Sequence, residues 1–297
     1  MTYMRKYVRR LYLFFSYLLN HRYIGKIQKL GYCIMTIDET LDYISQPGNS
    51  MVRFGDGEID IINGGGSETY QRASSELQKS LLNIVIHPKP NLLVCLPDTL
   101  ISLKDKEIIS QFHWTGNFKR NYGSYKNIKL DNYIYGNAFV SRPYMIYRDK
   151  SVGFNYFQRF IELFTDKDIL LVEGKYSRNG VGNDLFYKAH SIKRILCPNI
   201  NAYEKYDEIL KEILKIDKTH LILLSLGPTA KVLVAQLVDN GYWALDIGHV
   251  DSEYEWFLKQ SKQKFVLSNK HTAEQRDNEI GDCTDPDYLS SIIAEIE

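Results

Sequence analysis

The sequence has no acidic residue before Asp38, although the formal charge of the whole chain is only +1. The first part of the chain is therefore basic, and the remainder carries the compensating acids. This asymmetry indicates that the two ends of the chain meet different partners. The basic residues of this N-terminal segment are Arg5, Lys6, Arg9, Arg10, Arg22, Lys26 and Lys29.

The sequence also lacks an apolar run of about 18 residues, which disfavours a conventional transmembrane helix. Residues 11–19 are apolar and aromatic, but they are too few to cross a bilayer. Because no small-residue cleavage site follows them, a secretory signal is disfavoured as well. Two interpretations stay open: a basic amphipathic helix in which residues 1–30 contact an anionic membrane, or a helix packed on the domain or on a neighbouring chain.

Cysteine is sparse, and its spacing excludes a CxxC motif. Two of the four cysteines lie in apolar, strand-like runs, where a thiol behaves as a small hydrophobic group. This usage favours a reduced compartment, so we expect a cytoplasmic protein, with a peripheral position on the inner face of the plasma membrane as a further possibility. The cysteines are Cys33, Cys95, Cys197 and Cys283.

With 297 residues, of which 44% are hydrophobic, the chain is long enough for one large α/β domain. Short apolar runs bounded by polar residues predict buried parallel strands, and helical periodicities lie between them. The alternation predicts an α/β fold with a Rossmann-like, doubly wound, mostly parallel sheet and an N-terminal basic helix. The strands are expected at residues 51–54, 91–96, 168–172, 193–197, 220–226 and 243–247, and helices at 36–44, 74–86, 206–214 and 228–240.

These patterns divide the chain into an N-terminal arm (1–35), a central domain (36–270) and an acidic tail (271–297) that ends in a predicted helix over 287–296. Residues 110–150 have weak periodicity and are expected to form an insertion or lid with acceptor contacts. The first βαβ unit has no GxGxxG motif, which argues against a dinucleotide oxidoreductase. Beyond the arm no basic stripe is sustained, so we expect no nucleic-acid partner.

A strand over residues 221–226 runs directly into a helix through Gly227, Pro228 and Thr229, with Lys231 one turn later. Glycine permits a tight turn, proline suits the first helical turn, and the helix N-terminus attracts anions. The pattern predicts a diphosphate site, although the same residues could simply end a strand and begin a helix.

Two carboxylates, Asp56 and Glu58, follow another strand end at Arg53 and Gly55. A DxE pair of this kind suits Mn²⁺ or Mg²⁺, which bind carboxylate and phosphate oxygens. A solvated turn is the alternative, because Asp-Gly is common in turns.

Two further polar segments follow strands. In one, Arg178 could pair with phosphate, while Asn183 could contact a uracil or ribose or could cap a helix beginning at Asp184. In the other, His249 could be a metal ligand or a phosphate hydrogen-bond donor. Asp251 and Glu255 lie four residues apart, hence on one helical face, where either could act as a general base towards an acceptor hydroxyl.

Taken together, the segments RFGDGE, EGKYSRNGVGND, SLGPTAK and DIGHVDSEYEW resemble the GT-D-type glycosyltransferases, a family first described as a domain of unknown function in adhesin glycosylation loci. The resemblance covers approximately residues 36–270. It implies a Rossmann-like fold distinct from the GT-A and GT-B types, in which the DxE motif binds Mn²⁺ and the diphosphate of a UDP-sugar. Asp56 and Glu58 inherit that role. One departure is Tyr70-Gln71-Arg72-Ala73-Ser74, where the family pattern places an acidic residue shortly after Phe-Gln.

We therefore predict a metal-dependent glycosyltransferase that moves a hexose from a UDP-sugar to a glycan or glycoprotein acceptor in surface polysaccharide or adhesin glycosylation. The nucleotide-sugar contacts are expected from Arg53, Gly55, Arg178, Asn183, Gly227, Thr229 and Lys231, the metal contacts from Asp56, Glu58 and His249, and general-base catalysis from Asp251 or Glu255. The alternative is a non-catalytic nucleotide-sugar-binding subunit that assists another glycosyltransferase.

Overall fold

The computed structural model describes residues 3–65, 71–272 and 280–297. The α-helices of these residues are α1 (Tyr3–Asn20), α2 (Arg22–Gln28), α3 (Ile37–Ile44), α4 (Asp56–Ile62), α5 (Ser75–Ile86), α6 (Ile108–Ile128), α7 (Gly153–Phe164), α8 (Tyr206–Ile213), α9 (Pro228–Asp239), α10 (Val250–Leu258) and α11 (Pro286–Ser291). The strands are β1 (Cys33–Ile34), β2 (Ser50–Arg53), β3 (Leu92–Leu96), β4 (Ile134–Asn137), β5 (Asp168–Gly174), β6 (Ser191–Cys197), β7 (Leu221–Ser225), β8 (Trp243–Asp246) and β9 (Ile292–Glu295).

Within the described residues, nine strands form one sheet in the order β1-β4-β3-β2-β8-β7-β5-β6-β9, and every neighbouring pair is parallel. From β2 the chain moves outward through β3 and β4, whereas β7 and β8 approach from the other half of the sheet. The connections of β2 and β8 therefore leave in opposite directions. In open α/β sheets, such a reversal leaves a crevice at the carboxyl ends of the two strands, where ligands bind.

The six predicted strands are all confirmed, each within two residues of the expected bounds. Residues of β2, β3 and β8 are buried along the whole strand, as expected when helices flank both faces of a parallel sheet. The capping box of α3 is also confirmed: the Glu39 amide donates to Thr36 Oγ1 at 3.2 Å, and the Thr36 amide donates to Glu39 Oε2 at 2.8 Å.

The prediction that residues 110–150 form an insertion or lid is wrong, because they contain α6 and the internal strand β4. Helix α6 contacts α1 and α2 as well as α4, so no single apolar stripe marks it in the sequence. Gly136 in β4 is required by close packing, since a Cβ there would lie 2.4 Å from Cys95 Sγ.

The predicted helix over 287–296 is also only partly correct, since α11 ends at Ser291 and β9 follows. Strand β9 pairs with the outer edge of β6, whose backbone groups supply hydrogen-bond partners that local propensity cannot reveal. The tail therefore contributes to the same sheet as the central domain.

The N-terminal arm forms two helices that pack on α6. The rings of Phe14 and Tyr17 lie 5.9 and 5.0 Å from that of Phe112, which confirms packing on the domain for one face of α1. None of the helices in the described ranges combines the length and apolarity needed to cross a bilayer. The four cysteines are unpaired, and burial raises the pKa of the Cys95 and Cys197 thiols.

Candidate active site at the carboxyl edge of the sheet

A cavity opens at the carboxyl edge of the sheet, where the order of connections reverses between β2 and β8. Segments that follow five strands line it, and α6 and the segment after β4 close its side. Its lining residues include Arg53, Gly55, Asp56, Gly57, Glu58, Gln71, Trp114, Phe139, Arg142, Ser177, Asn179, Asn199, Ser225, Gly227, Lys231, Gly248, His249, Ser252 and His271.

Seven of the site residues predicted from the sequence line the cavity, and they come from the end of β2 and the segments that follow β2, β7 and β8. These are Arg53, Gly55, Asp56, Glu58, Gly227, Lys231 and His249. Five other nominated residues do not line it, namely Arg178, Asn183, Thr229, Asp251 and Glu255.

Three residues that line the cavity, Arg53, Glu58 and Lys231, form with Asp246 a buried group of four charges that alternate in sign. Arg53 Nη2 lies 2.7 Å from Asp246 Oδ1, and Lys231 Nζ lies 3.0 Å from both Asp246 Oδ2 and Glu58 Oε1. All four side chains are less than a tenth exposed, so each charge depends on its neighbours for compensation. We call Arg53, Asp246, Lys231 and Glu58 the charge quartet.

Asp246 joins the two cations of the charge quartet. Burial by itself raises the pKa of this carboxyl, but the nearby Arg53 guanidinium and Lys231 ammonium outweigh that effect and hold the pKa below its ordinary value. Asp246 was not predicted as a site residue from the sequence. A carboxylate at the last position of an otherwise apolar strand is the signal that could have identified it.

The Arg53 side chain also fixes the loop that follows β8. Its Nε donates to the Asp246 carbonyl at 2.7 Å, and its Nη1 donates to the Ser141 hydroxyl. A Cβ on Gly248 would lie 1.9 Å from Arg53 Nη2, so only glycine fits beside the guanidinium. Arg53 is thus held by protein groups while it contributes to the cavity wall.

The two acids of the DxE motif have different environments because the motif lies in the first turn of α4. Residues two apart on a helix do not face the same way. Asp56 is 43% exposed and its Oδ2 lies 2.8 Å from His113 Nε2. Glu58 is 8% exposed, with Oε1 paired to Lys231 and Oε2 accepting from the Gly55 amide at 2.8 Å. Of the two acids of the motif, Asp56 is the one with an accessible carboxylate.

No group of three or more His, Cys, Asp or Glu side chains is arranged to hold a metal ion in the described part of the chain. His249 lies at the N-cap of α10 and lines the cavity. A cation there would take few ligands from the protein, and substrate oxygens would supply others, as is usual for Mg²⁺ at phosphate sites.

The N-terminus of α9 points to the cavity through Gly227, whose φ of +52° is accessible to glycine. The first turn of α9 contains no acidic residue, so within the helix nothing offsets the partial positive charge of its first backbone amides. Thr229 is fully buried, and its hydroxyl lies 3.3 Å from Gln71 Oε1. Thr229 itself does not line the cavity, but it contacts Gln71, which does.

Asp251 and Glu255 lie on one face of α10, as predicted, but that face is turned away from the cavity. Lys270 Nζ lies 2.8 Å from Asp251 Oδ2 and 3.1 Å from Glu255 Oε1. The Asn183 amide donates to both carboxylates at 2.8 Å. These contacts tie the glycine-rich loop after β5 to α10, and neither carboxylate lines the cavity in which it was expected to activate an acceptor hydroxyl.

Arg178 and Asn183 have anchoring contacts instead of cavity contacts. Arg178 is 3% exposed and donates to the carbonyls of Asn269 and Gly281 at 2.9 and 2.6 Å. Asn183 Oδ1 accepts from the Leu185 amide at 3.1 Å, but residues 185–188 form turns, so the helix expected from Asp184 is absent there.

A second buried acid, Glu173 at the end of β5, was not found from the sequence. Its Oε2 accepts from the Asn179 amide at 2.7 Å and from the Asn179 side chain at 2.6 Å, while Oε1 pairs with Arg194. This arrangement fixes the loop that presents Asn179 and Ser177 to the cavity.

Comparison with known proteins agrees with this architecture. Residues 51–275 match the family described as "Glycosyltransferase GT-D fold". Two relatives are "Probable glycosyl transferase Gly" of Streptococcus gordonii, 44% identical over 92% of this chain, and "Glycosyltransferase GlyD" of Streptococcus pneumoniae serotype 4, 43% identical over 88%. The matched regions are 41% and 32% of those proteins, so the chain spans less than half of either relative.

Two solved structures share the fold. One is described as "The highly conserved domain of unknown function 1792 has a distinct glycosyltransferase fold", with a TM-score of 0.88 and 43% identity over 94% of this chain and 100% of that one. The other, "A New Glycosyltransferase (DUF1792) from Streptococcus sanguinis", has a TM-score of 0.85 and 45% identity over 90% of this chain and 100% of that one.

Proposed function

The chain belongs to the glycosyltransferase GT-D fold family, and on that premise we propose that it transfers a hexose from a UDP-sugar to a glycan or glycoprotein acceptor with the help of a divalent cation. One observation supports this proposal most directly. A single cavity combines an accessible carboxylate, Asp56, with the N-terminus of α9 at Gly227 and the ammonium group of Lys231.

Departure of UDP from the sugar leaves negative charge on the diphosphate, and stabilising that charge lowers the barrier to transfer. The backbone amides at the start of α9 would donate hydrogen bonds to the diphosphate oxygens. Lys231 adds a positive charge one turn further along, held in place by Glu58 and Asp246. Because these groups are fixed before substrate binds, they need little reorganisation during the reaction.

The donor groups present fit a cation that binds through few protein ligands. Asp56 would hold Mn²⁺ or Mg²⁺ with its exposed carboxylate, and His249 is a further candidate ligand or a phosphate donor. Such a cation would supply Lewis-acid neutralisation of the diphosphate. Glu58 acts by orienting Lys231, because both of its oxygens already have protein partners.

Asp251 and Glu255 have a positioning role in this proposal. Through Lys270 and Asn183 they hold the glycine-rich loop against α10, and that loop carries Ser177 and Asn179 into the cavity wall. Their removal is expected to affect donor binding through loop geometry.

The test is release of UDP from UDP-glucose, UDP-galactose and UDP-N-acetylglucosamine with Mn²⁺, Mg²⁺ or chelator, using the purified chain with and without acceptor glycans. Asp56→Asn should reduce metal-stimulated UDP release by about a hundredfold or more, the scale on which loss of one electrostatic catalytic group acts. Asp38→Asn is a matched control, since Asp38 is also an exposed acid in the first turn of a helix.

The control should retain full activity. Binding of a UDP-sugar by the wild-type chain without any UDP release would favour the non-catalytic subunit instead. Metal-stimulated turnover that is undiminished in Asp56→Asn would refute the cation assignment.

A further inference from the structure

The N-terminal helix α1 has two opposite faces with different surroundings. Tyr17 packs on α6, the Ser16 hydroxyl lies 3.7 Å from the position of a Cβ on Gly116, and Asn20 is 8% exposed. These residues follow helical spacing and define the face turned to the domain.

The other face is apolar and exposed. At 100° per residue, its side chains form one stripe opposite the face that packs on α6, about 17 Å long at the helical rise of 1.5 Å per residue. Several are more than half exposed, which is uncommon for contiguous large apolar side chains. The apolar stripe consists of Val8, Leu11, Tyr12, Phe15, Leu18 and Leu19.

The charge of the surrounding segment indicates what covers the apolar stripe. No acid lies within residues 1–37, whereas seven lysines and arginines do. Arg22, Lys26 and Lys29 are exposed in and just after α2, which continues directly from α1. A second copy of the chain would bring two such basic segments together, so like charges would oppose that contact. An anionic lipid surface matches both the charge and the apolarity.

We propose that α1 and α2 form a membrane-docking surface, in which the apolar stripe enters the interface of an anionic bilayer and the basic side chains meet its headgroups. Tyr12 and Phe15 suit the bilayer interface, since aromatic rings favour the boundary between headgroups and acyl chains. The inference does not depend on the proposed transferase activity.

The docking surface lies close to the candidate active site through α6. Phe112 contacts Phe14 and Tyr17 of α1, the next residue His113 contacts Asp56, and Trp114 lines the cavity. Docking of α1 would therefore place the bilayer beside the cavity wall that α6 provides, where a membrane-associated acceptor could approach.

The test is co-sedimentation of the full chain with vesicles of equal parts phosphatidylcholine and phosphatidylglycerol, and with vesicles of phosphatidylcholine alone. We expect binding to the anionic vesicles, weakened at high salt, and little binding to the neutral ones. Phe15→Glu with Leu19→Glu should weaken anionic-vesicle binding by about tenfold or more. Circular dichroism would verify that the double variant is folded.

The matched control places the same two charges on exposed apolar residues elsewhere, as Phe154→Glu with Tyr187→Glu, whose wild-type side chains are 57% and 62% exposed. It should bind anionic vesicles like the wild type. Absence of wild-type binding, or equal loss in both double variants, would overturn the proposal. A wild-type dimer that the Phe15 and Leu19 changes dissociate, without vesicle binding, would assign the stripe to a second copy of the chain.

Discussion

Replacing Asp246 with asparagine should strongly destabilise the protein, because this carboxylate compensates two buried cations. It lies 2.7 Å from Arg53 and 3.0 Å from Lys231 and has no exposed side-chain surface. Removing one partner from a buried ion pair costs about 3–5 kcal/mol, since the remaining charge is left without compensation. An asparagine side chain keeps one acceptor, but its NH₂ group would face a cation that can only donate.

Urea denaturation would measure the apparent free energy of unfolding of Asp246→Asn against the wild type. Asp239→Asn is the control, since Asp239 pairs with Lys89 at 2.5 Å on the surface, with the two side chains 48% and 31% exposed. Exposed pairs of this kind contribute about 0–1 kcal/mol. A loss below about 1 kcal/mol in Asp246→Asn would refute the reasoning, because it would equal the loss expected of a surface pair.

The pH dependence gives an independent check on the same residue. Because the folded pKa of Asp246 is lowered, its stabilisation is fully present above the unfolded pKa of about 3.9 and is lost as pH falls through the folded value. The difference in unfolding free energy between wild type and Asp246→Asn should therefore stay constant near neutral pH. It should shrink only in strongly acidic solution.

Two further predictions concern single contacts. Gly248→Ala should lower the melting temperature and the activity, because its Cβ would lie 1.9 Å from Arg53 Nη2. Gly25→Ala is the control: the space around Gly25 in α2 is open, so stability should be equal or slightly raised. Equal melting temperatures of the two variants would contradict the packing argument. The pKa of His190 should be above 6.5 in an NMR titration, because its ring hydrogen-bonds to Asp168. Asp168→Asn should return this pKa towards the ordinary value. The same His190 pKa in the wild type and in Asp168→Asn would exclude the contact.

Much of the sheet could be predicted because the sequence patterns that mark its strands are local. The apolar runs that became β2, β3 and β5 to β8 are each short, continuous and bounded by polar residues, which distinguishes buried parallel strands without knowledge of their neighbours. The capping box at Thr36 and the glycine at position 227 are local signals too. In contrast, β4 and β9 gain their stability from pairing with β3 and β6, and no pattern in their local sequence indicates that pairing.

The candidate site, like the sheet, could be predicted from the sequence only in part. From the sequence alone, polar loops following separate strands could be assigned to one edge of the sheet, since parallel strands end together. Only the tertiary structure decided that Asp56 is accessible while Glu58 pairs with Lys231, and that Asp251 and Glu255 face Lys270. The physical reason is that a side chain's chemistry depends on which charges surround it. Those charges come from residues as far apart in the chain as Arg53 and Asp246, which the order of strands brings within hydrogen-bonding distance.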